Sequence, residues 1–268
     1  MEKKTININQ RQKEFYESKE KNFPTKIWSY FRNGILNKIR KNVGVENQIY
    51  EQHKVWLGNL SSKRVLDLGC FEGNVLSMYL ARNAKEYIAI DLSDTGIQKL
   101  SLRLNELPHA TALSVDFLSI EFTESDFDVI SAYGVLHHFK DVDELIAKLQ
   151  EKLSKDGEII SHDPLQTSLP IKFIRMIYRP FQSDKEWEWP FSRKTYYKFD
   201  KAFEIKERRA VLGKSKWSAL MGILPIPEDK KLKIAKEWHR QDWERSPNSD
   251  IHMFRCMHLS LWMKKRTP

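Results

Sequence analysis

Short apolar runs alternate along this chain with segments whose apolar residues recur every three or four positions. Val65, Leu66 and Leu68 form a run suited to a strand buried on both faces. Gly69 and Gly73 punctuate it, and Val75, Leu76, Met78, Tyr79 and Leu80 then fall at helical spacing. Continued, the pattern predicts strands at 64–68, 87–90, 111–115, 127–132 and 157–162, with helices near 73–83, 95–106 and 141–154. Asp141, with Glu144 three residues on, reads as an N-cap, and Gly157 suits the C-terminal side of that helix. Before this block, residues 1–45 read as basic and helical, with Phe15, Tyr16, Phe23, Trp28, Tyr30 and Phe31 among the charges. Residues 46–59 read as a further helix carrying Tyr50, Val55, Trp56 and Leu57. From 164 to about 200 the pattern breaks into prolines and aromatics. A sixth strand is expected at 203–212, a helix at 228–245 and a last strand at 252–263.

Alternating strands and helices predict a parallel sheet with helices on both faces. Ligands of such sheets bind beyond the carboxyl ends of the strands. Asp67, Asp91, Asp116, Tyr133 and Asp163 all fall at or near such ends. The first unit reads strand, glycine turn, helix, an arrangement that lets a ligand approach backbone N–H groups. The next strand ends in Asp91, about 20 residues past the turn, where a ribose-binding carboxylate is expected. Together these features point to a ligand containing a nucleoside. Gly69 and Gly73 stand at i and i+4, so the three-glycine dinucleotide pattern of dehydrogenases is not matched.

These residues resemble the class I S-adenosylmethionine (SAM)-dependent methyltransferases. Val65-Leu-Asp-Leu-Gly-Cys-Phe-Glu-Gly73 is similar to their first motif and Ala89-Ile-Asp-Leu-Ser93 to their second. Asp116-Phe117 matches the third, and Ser131-Ala-Tyr-Gly-Val-Leu-His-His-Phe139 the fourth, in a form common among small-molecule methyltransferases. Leu153-Ser-Lys-Asp-Gly-Glu-Ile-Ile160 resembles the turn and strand that follow, so the likeness covers about residues 60 to 165. It implies a Rossmann-like α/β fold. The sheet would have seven strands, mostly parallel, closed by an antiparallel pair at 203–212 and 252–263. Residues 1–60 would form an N-terminal helical cap, 61–268 the SAM-binding domain, and 164–200 an insertion on the acceptor side. Phe71 departs from the family's usual middle glycine; a phenylalanine resists positive φ and puts a ring beside the cofactor.

The resemblance implies SAM as cofactor and S-adenosylhomocysteine as product. Gly69, Cys70, Phe71 and Gly73 would form the turn under it, and Asp67 would orient the turn and the amino end of the methionine moiety. Asp91, followed by Leu92, would hold the ribose hydroxyls. Asp116 would accept from the adenine amino group with Phe117 beside the ring. Tyr133 and Leu136 would reach the cofactor from the fourth strand, and Tyr16 would cover its methionine end. For a base taking a hydroxyl proton, His137 is the first candidate, with His162 and Asp163 beside the acceptor edge. His138 is the rival base, and the two neighbours are expected to point apart so that one of them faces the pocket.

Composition bounds the alternatives. The chain has 268 residues, 41% hydrophobic and 30% charged, with no apolar run long enough for a membrane span and no apolar signal core at its start. Two cysteines, Cys70 and Cys256, suit a reduced, cytoplasmic setting, and no zinc-ligand spacing or lysine phosphate loop is present. The net charge of +9 is uneven: 13 basic residues face 6 acidic ones in 1–63, 9 face 18 in 64–163, and 23 face 12 in 164–268. Basic flanks suit an anionic acceptor, anionic lipid or nucleic acid, or simply a lysine-rich solvated surface. The leading reading is O-methylation of a small-molecule or lipid- or sugar-linked hydroxyl. An RNA acceptor and a non-catalytic SAM-binding partner of a biosynthetic complex are the alternatives. The 164–200 segment reads either as a cover for the acceptor pocket or as a packing or homodimerisation arm.

Overall fold

The computed structural model describes residues 26, 30, 34, 37–178, 180 and 188–266. Seven strands form one sheet: β1 (Arg64–Leu68), β2 (Glu86–Asp91), β3 (Ala110–Ser114), β4 (Phe127–Tyr133), β5 (Leu153–Pro164), β6 (Phe203–Val211) and β7 (His258–Lys265). Their order is β3-β2-β1-β4-β5-β7-β6. The first five are mutually parallel, and β7 runs antiparallel to both β5 and β6. The order reverses between β1 and β4, which opens a crevice at their carboxyl ends.

Burial on both faces explains the continuous apolar runs. Leu66, Leu68, Ile88, Ile90 and Ile130 enter one core, while Val65, Tyr87, Ala89, Val129 and Ile160 enter the other. The second core is covered by α2 (Val45–Leu57), α3 (Val75–Asn83) and α4 (Asp94–Leu104), through Trp56, Leu57, Leu76, Leu80, Ile97 and Leu100. A short helix α1 (Asn37–Val43) precedes α2. The first core receives Leu145, Ile146 and Leu149 of α5 (Val142–Lys152) and Tyr196 and Phe199 of α7 (Arg193–Ala202). Side-chain caps start α3, α4 and α5. Asn74 accepts from the Ser77 N–H, Ser93 from the Gly96 N–H, and Asp141 from the Asp143 and Glu144 N–H groups.

Three local expectations change. Gly157 does not follow a helix end: α5 stops at Lys152 and β5 begins at Leu153. The register of β5 on β4 shifts between Phe127 and Val129, and Gly157 sits in this irregularity, where a Cβ would lie 2.8 Å from the Phe127 carbonyl oxygen. The last strand starts at His258, because Ser249 caps a short helix α9 (Asp250–Met253) just before it. The aromatic insertion holds two helices, α6 (Leu169–Tyr178) and α7, the latter capped by the Ser192 hydroxyl on the Thr195 N–H. Further on, a 3-10 segment (Ser215–Ile223) leads to α8 (Glu228–Arg245).

Candidate functional site

The turn after β1 is shaped by what surrounds it. Gly69 has φ 73°, and its N–H donates to the Ile90 carbonyl at 2.8 Å. A Cβ there would come within 2.4 Å of Val135 Cγ2, so only glycine fits. Gly73 also has positive φ, and its N–H donates to the Cys70 carbonyl at 2.9 Å. Cys70 is buried between them, and burial pushes its thiol up, so it stays a thiol. Phe71 adopts φ 47° despite its side chain. Its N–H donates to Asp91 Oδ2 at 2.9 Å, and its ring lies against Gly96, where a Cβ would sit 2.8 Å from Phe71 Cδ2. The expected resistance to positive φ is therefore overcome by a hydrogen bond to a carboxylate and by a glycine seat for the ring.

Four acids stand around this turn. Asp91 ends β2 and accepts from the Phe71 N–H on one oxygen and the Ser93 N–H on the other, both at 2.9 Å. A carboxylate has about four acceptor positions, so capacity for ribose hydroxyls remains. Burial raises its pKa against those hydrogen bonds. Leu92, half-buried, follows it into the turn before α4. Asp67, in β1, accepts from the Tyr87 hydroxyl at 2.8 Å, and burial pushes it up to about 6. Asp116 accepts from the Leu118 N–H at 3.0 Å in the loop after β3. Phe117 is buried beside Phe122 and Phe139, in the core beneath that loop.

The fourth acid belongs to a pair. The 3-10 turn Leu136–His138 follows β4, with Leu136 buried. Asp163, near the end of β5, accepts on Oδ1 from the His137 backbone N–H at 3.1 Å and lies 2.9 Å from His137 Nδ1. Its Oδ2 has no hydrogen-bond partner among the described residues. Burial pushes this carboxyl up to about 7, against the His137 hydrogen bond. A carboxyl on Nδ1 selects the tautomer in which Nε2 is the basic nitrogen. His137 and His138 do not diverge as expected: their ring centroids are 4.1 Å apart. The Trp189 N–H donates to the His137 carbonyl at 2.7 Å, tying the residues before α7 to this turn.

His162 lies on the opposite face of β5. Its ring stacks between Tyr133 (4.9 Å) and His258 (5.2 Å), and its Nδ1 is 2.9 Å from the Ser260 hydroxyl. Burial holds its pKa well below the usual imidazole range. Tyr133, half-buried, also meets Tyr50 of α2, whose hydroxyl donates to Glu46 at 3.0 Å. His53 shares the Ser260 hydroxyl at 3.2 Å, and Arg40 bonds His258. Sequence reading did not place Arg40, Glu46, His53, His258 or Ser260 here. They come from α1, α2 and β7, and only the Ser260–His162 register of the antiparallel pair assembles them. Tyr16 lies outside the described residues.

A family model described as "Methyltransferase domain" matches residues 49–211. A protein of Haemophilus influenzae described as uncharacterized is 32% identical over 133 residues, covering 47% of this chain and 52% of the relative. A tRNA U34 carboxymethyltransferase of Pseudomonas fluorescens is 30% identical over 105 residues, covering 38% and 33%. The match thus spans about half of the first relative's length and a third of the second's. Among solved structures, the N-methyltransferase NodS of Bradyrhizobium japonicum with S-adenosylhomocysteine superposes over 83% of this chain and 87% of its own. Its TM-score is 0.53 at 15% identity, a likeness of fold.

Proposed function

The chain belongs to the methyltransferase-domain family, and we propose that it moves a methyl group from SAM to a small-molecule or lipid- or sugar-linked hydroxyl. The observation that carries the hydroxyl assignment is the buried His137–Asp163 pair at the adjoining ends of β4 and β5. SAM supplies a methyl group already activated on a sulfonium, so the chain's own work is alignment and proton removal. The residues present suit SAM. Asp91 keeps acceptor capacity for both ribose hydroxyls, Asp67 offers a carboxylate to an ammonium group, and Gly134 leaves open space where a Cβ would be. Asp116 would receive the adenine amino group, with Phe117 supporting the loop from below, and Tyr133 and Leu136 would border the methionine end.

His137 Nε2 would take the acceptor's hydroxyl proton as the new O–C bond forms. Asp163 would hold the imidazole by Nδ1 and stabilise the imidazolium that results. His162 is better suited to forming a wall. Its Nδ1 is engaged by Ser260 and burial disfavours its charged form. An amine acceptor would need less of this machinery, which is why the pair favours oxygen.

The test uses methyl-labelled SAM, purified protein and host extract separated into metabolites, lipid, polysaccharide, RNA and protein. Label in the metabolite, lipid or polysaccharide fraction is expected, and it should be lost in His137→Ala. An RNA acceptor is the second reading, favoured by the tRNA-modifying relative and by the basic flanks. Label confined to RNA would replace the first reading with it.

A further inference from the structure

Outside the methyl-transfer site, one face of the protein leaves large apolar side chains in water. Helix α6 begins at Leu169, just beyond the end of β5 at Pro164. Leu169, Phe173, Met176 and Ile177 are 79%, 60%, 65% and 57% exposed. Their spacing of four, seven and eight residues puts them on one stripe of the helix. The 3-10 segment beside it exposes Trp217 and Leu220, and Leu224 follows directly. The two elements are tied by Lys216, whose ammonium donates to the Ser168 hydroxyl at 3.1 Å and to the Arg255 carbonyl at 2.7 Å. Single exposed apolar residues are ordinary on a protein surface; seven on two joined elements mark an interface.

The charge around this surface is basic. Lys172 is exposed on the flank of the α6 stripe, and Lys214 and Arg255 are exposed beside the 3-10 segment. That segment also packs against α1, which exposes Lys38 and Lys41, and α8, which exposes Lys230, Lys233 and Lys236 beyond the acidic Glu228 and Asp229 of its first turn. The third of the chain that holds α6 and α8 carries 23 basic residues against 12 acidic. No described helix is long and apolar enough to cross a membrane. An apolar stripe with lysines at its edge is the pattern of a helix lying in the interface of an anionic bilayer.

We propose that α6 and the adjoining 3-10 segment dock this protein on an anionic membrane surface. The α6 stripe and Trp217 enter the boundary between headgroups and acyl chains, and the lysines lie over the lipid phosphates. Because α6 leaves the sheet just after Asp163, the acceptor edge of the site would face the same surface. The docking itself depends on no cofactor and no methyl transfer, so it stands or falls separately from the proposed reaction.

The 268-residue chain would be sedimented with vesicles of phosphatidylcholine alone and of phosphatidylcholine mixed with phosphatidylglycerol. Pelleting with the anionic vesicles only, weakened by added salt, is expected. The Phe173→Asp/Ile177→Asp double variant should lower apparent affinity at least about tenfold, and Lys172→Glu should lower it several-fold. Both should melt at the wild-type temperature, because the altered side chains are exposed. A wild-type protein left in the supernatant, or a double variant that pellets like the wild type, would overturn the proposal. So would a wild-type dimer in sedimentation velocity that the double variant converts to monomer, since the face would then belong to a second copy of the chain.

Discussion

At the residue scale, the site turns on carboxylates whose partners differ. Asp91 is held by two backbone N–H groups from the turns on either side of it, so it serves both as a clamp on the Phe71 turn and as the proposed ribose acceptor. Asp91→Ala should therefore abolish S-adenosylhomocysteine binding in calorimetry; retained micromolar affinity would remove the ribose assignment. Phe71→Gly separates the two readings of that position. With the ring seated on Gly96, the glycine variant should keep its affinity within about threefold and its stability within about 1 kcal/mol, because relief of the positive φ offsets backbone freedom and lost packing. A large gain in affinity would mean instead that the ring had blocked the cofactor. In the proposed role, Asp163 would set the pH dependence of transfer. As its carboxyl ionises near pH 7, Nδ1–H of His137 gains an anionic acceptor and Nε2 becomes the proton sink. The rate should rise as pH increases through about 7, and Asp163→Asn should be slower by about 10²-fold with that rise removed. A variant keeping the wild-type profile would detach Asp163 from proton removal.

At the element scale, the strands and the turn were legible in the sequence because their causes are local. The runs around Val65 and Ile88 can only be strands buried on two faces, and Gly69 stands where Val135 leaves no space for a Cβ. Gly69→Ala should consequently lower stability by roughly 2 kcal/mol or more in urea unfolding, a cost of strain and clash together. An unchanged midpoint would show that Val135 moves aside. Other features have causes distant in sequence. Gly157 was assigned to a helix end because glycine commonly stops helices, yet it is needed by the shift of β5 on Phe127. Helix α7 was hidden by the density of aromatics around it, although Ser192 with Thr195 offered a cap and Tyr196 and Phe199 a buried face. Tyr133 and His162 were named from their places at strand ends, but the wall they form with Tyr50, His53 and His258 had no sequence signature, because it needs α2 laid over the junction of β4, β5 and β7.

At the scale of the whole molecule, buried ionisable groups of two kinds act against each other. Burial raises the pKa of Asp67, Asp91 and Asp163, so the folded state binds protons there that the unfolded chain has released. Stability from these groups is complete below the ordinary carboxylate pKa near 4 and is lost as pH rises through their folded values, about 6 for Asp67 and about 7 for Asp163. Burial lowers the pKa of His53, to about 3, and also those of His162 and His239. Below about pH 6.5 the unfolded chain takes protons at these imidazoles that the fold refuses, so their contribution is lost as pH falls. Between about pH 4 and pH 6.5 the two slopes oppose one another, and the cofactor-free protein should vary little in stability over that range. Removing one member exposes the other side. Asp163→Asn, measured against wild type by urea unfolding, should gain stability as pH rises from about 4 to about 7, by on the order of 1 kcal/mol per unit, and hold that gain above. His53→Gln should gain relative to wild type as pH falls below about 6.5. If both variants ran parallel to wild type across the range, the acids and imidazoles would share their protons with the unfolded state, and the opposition would not exist.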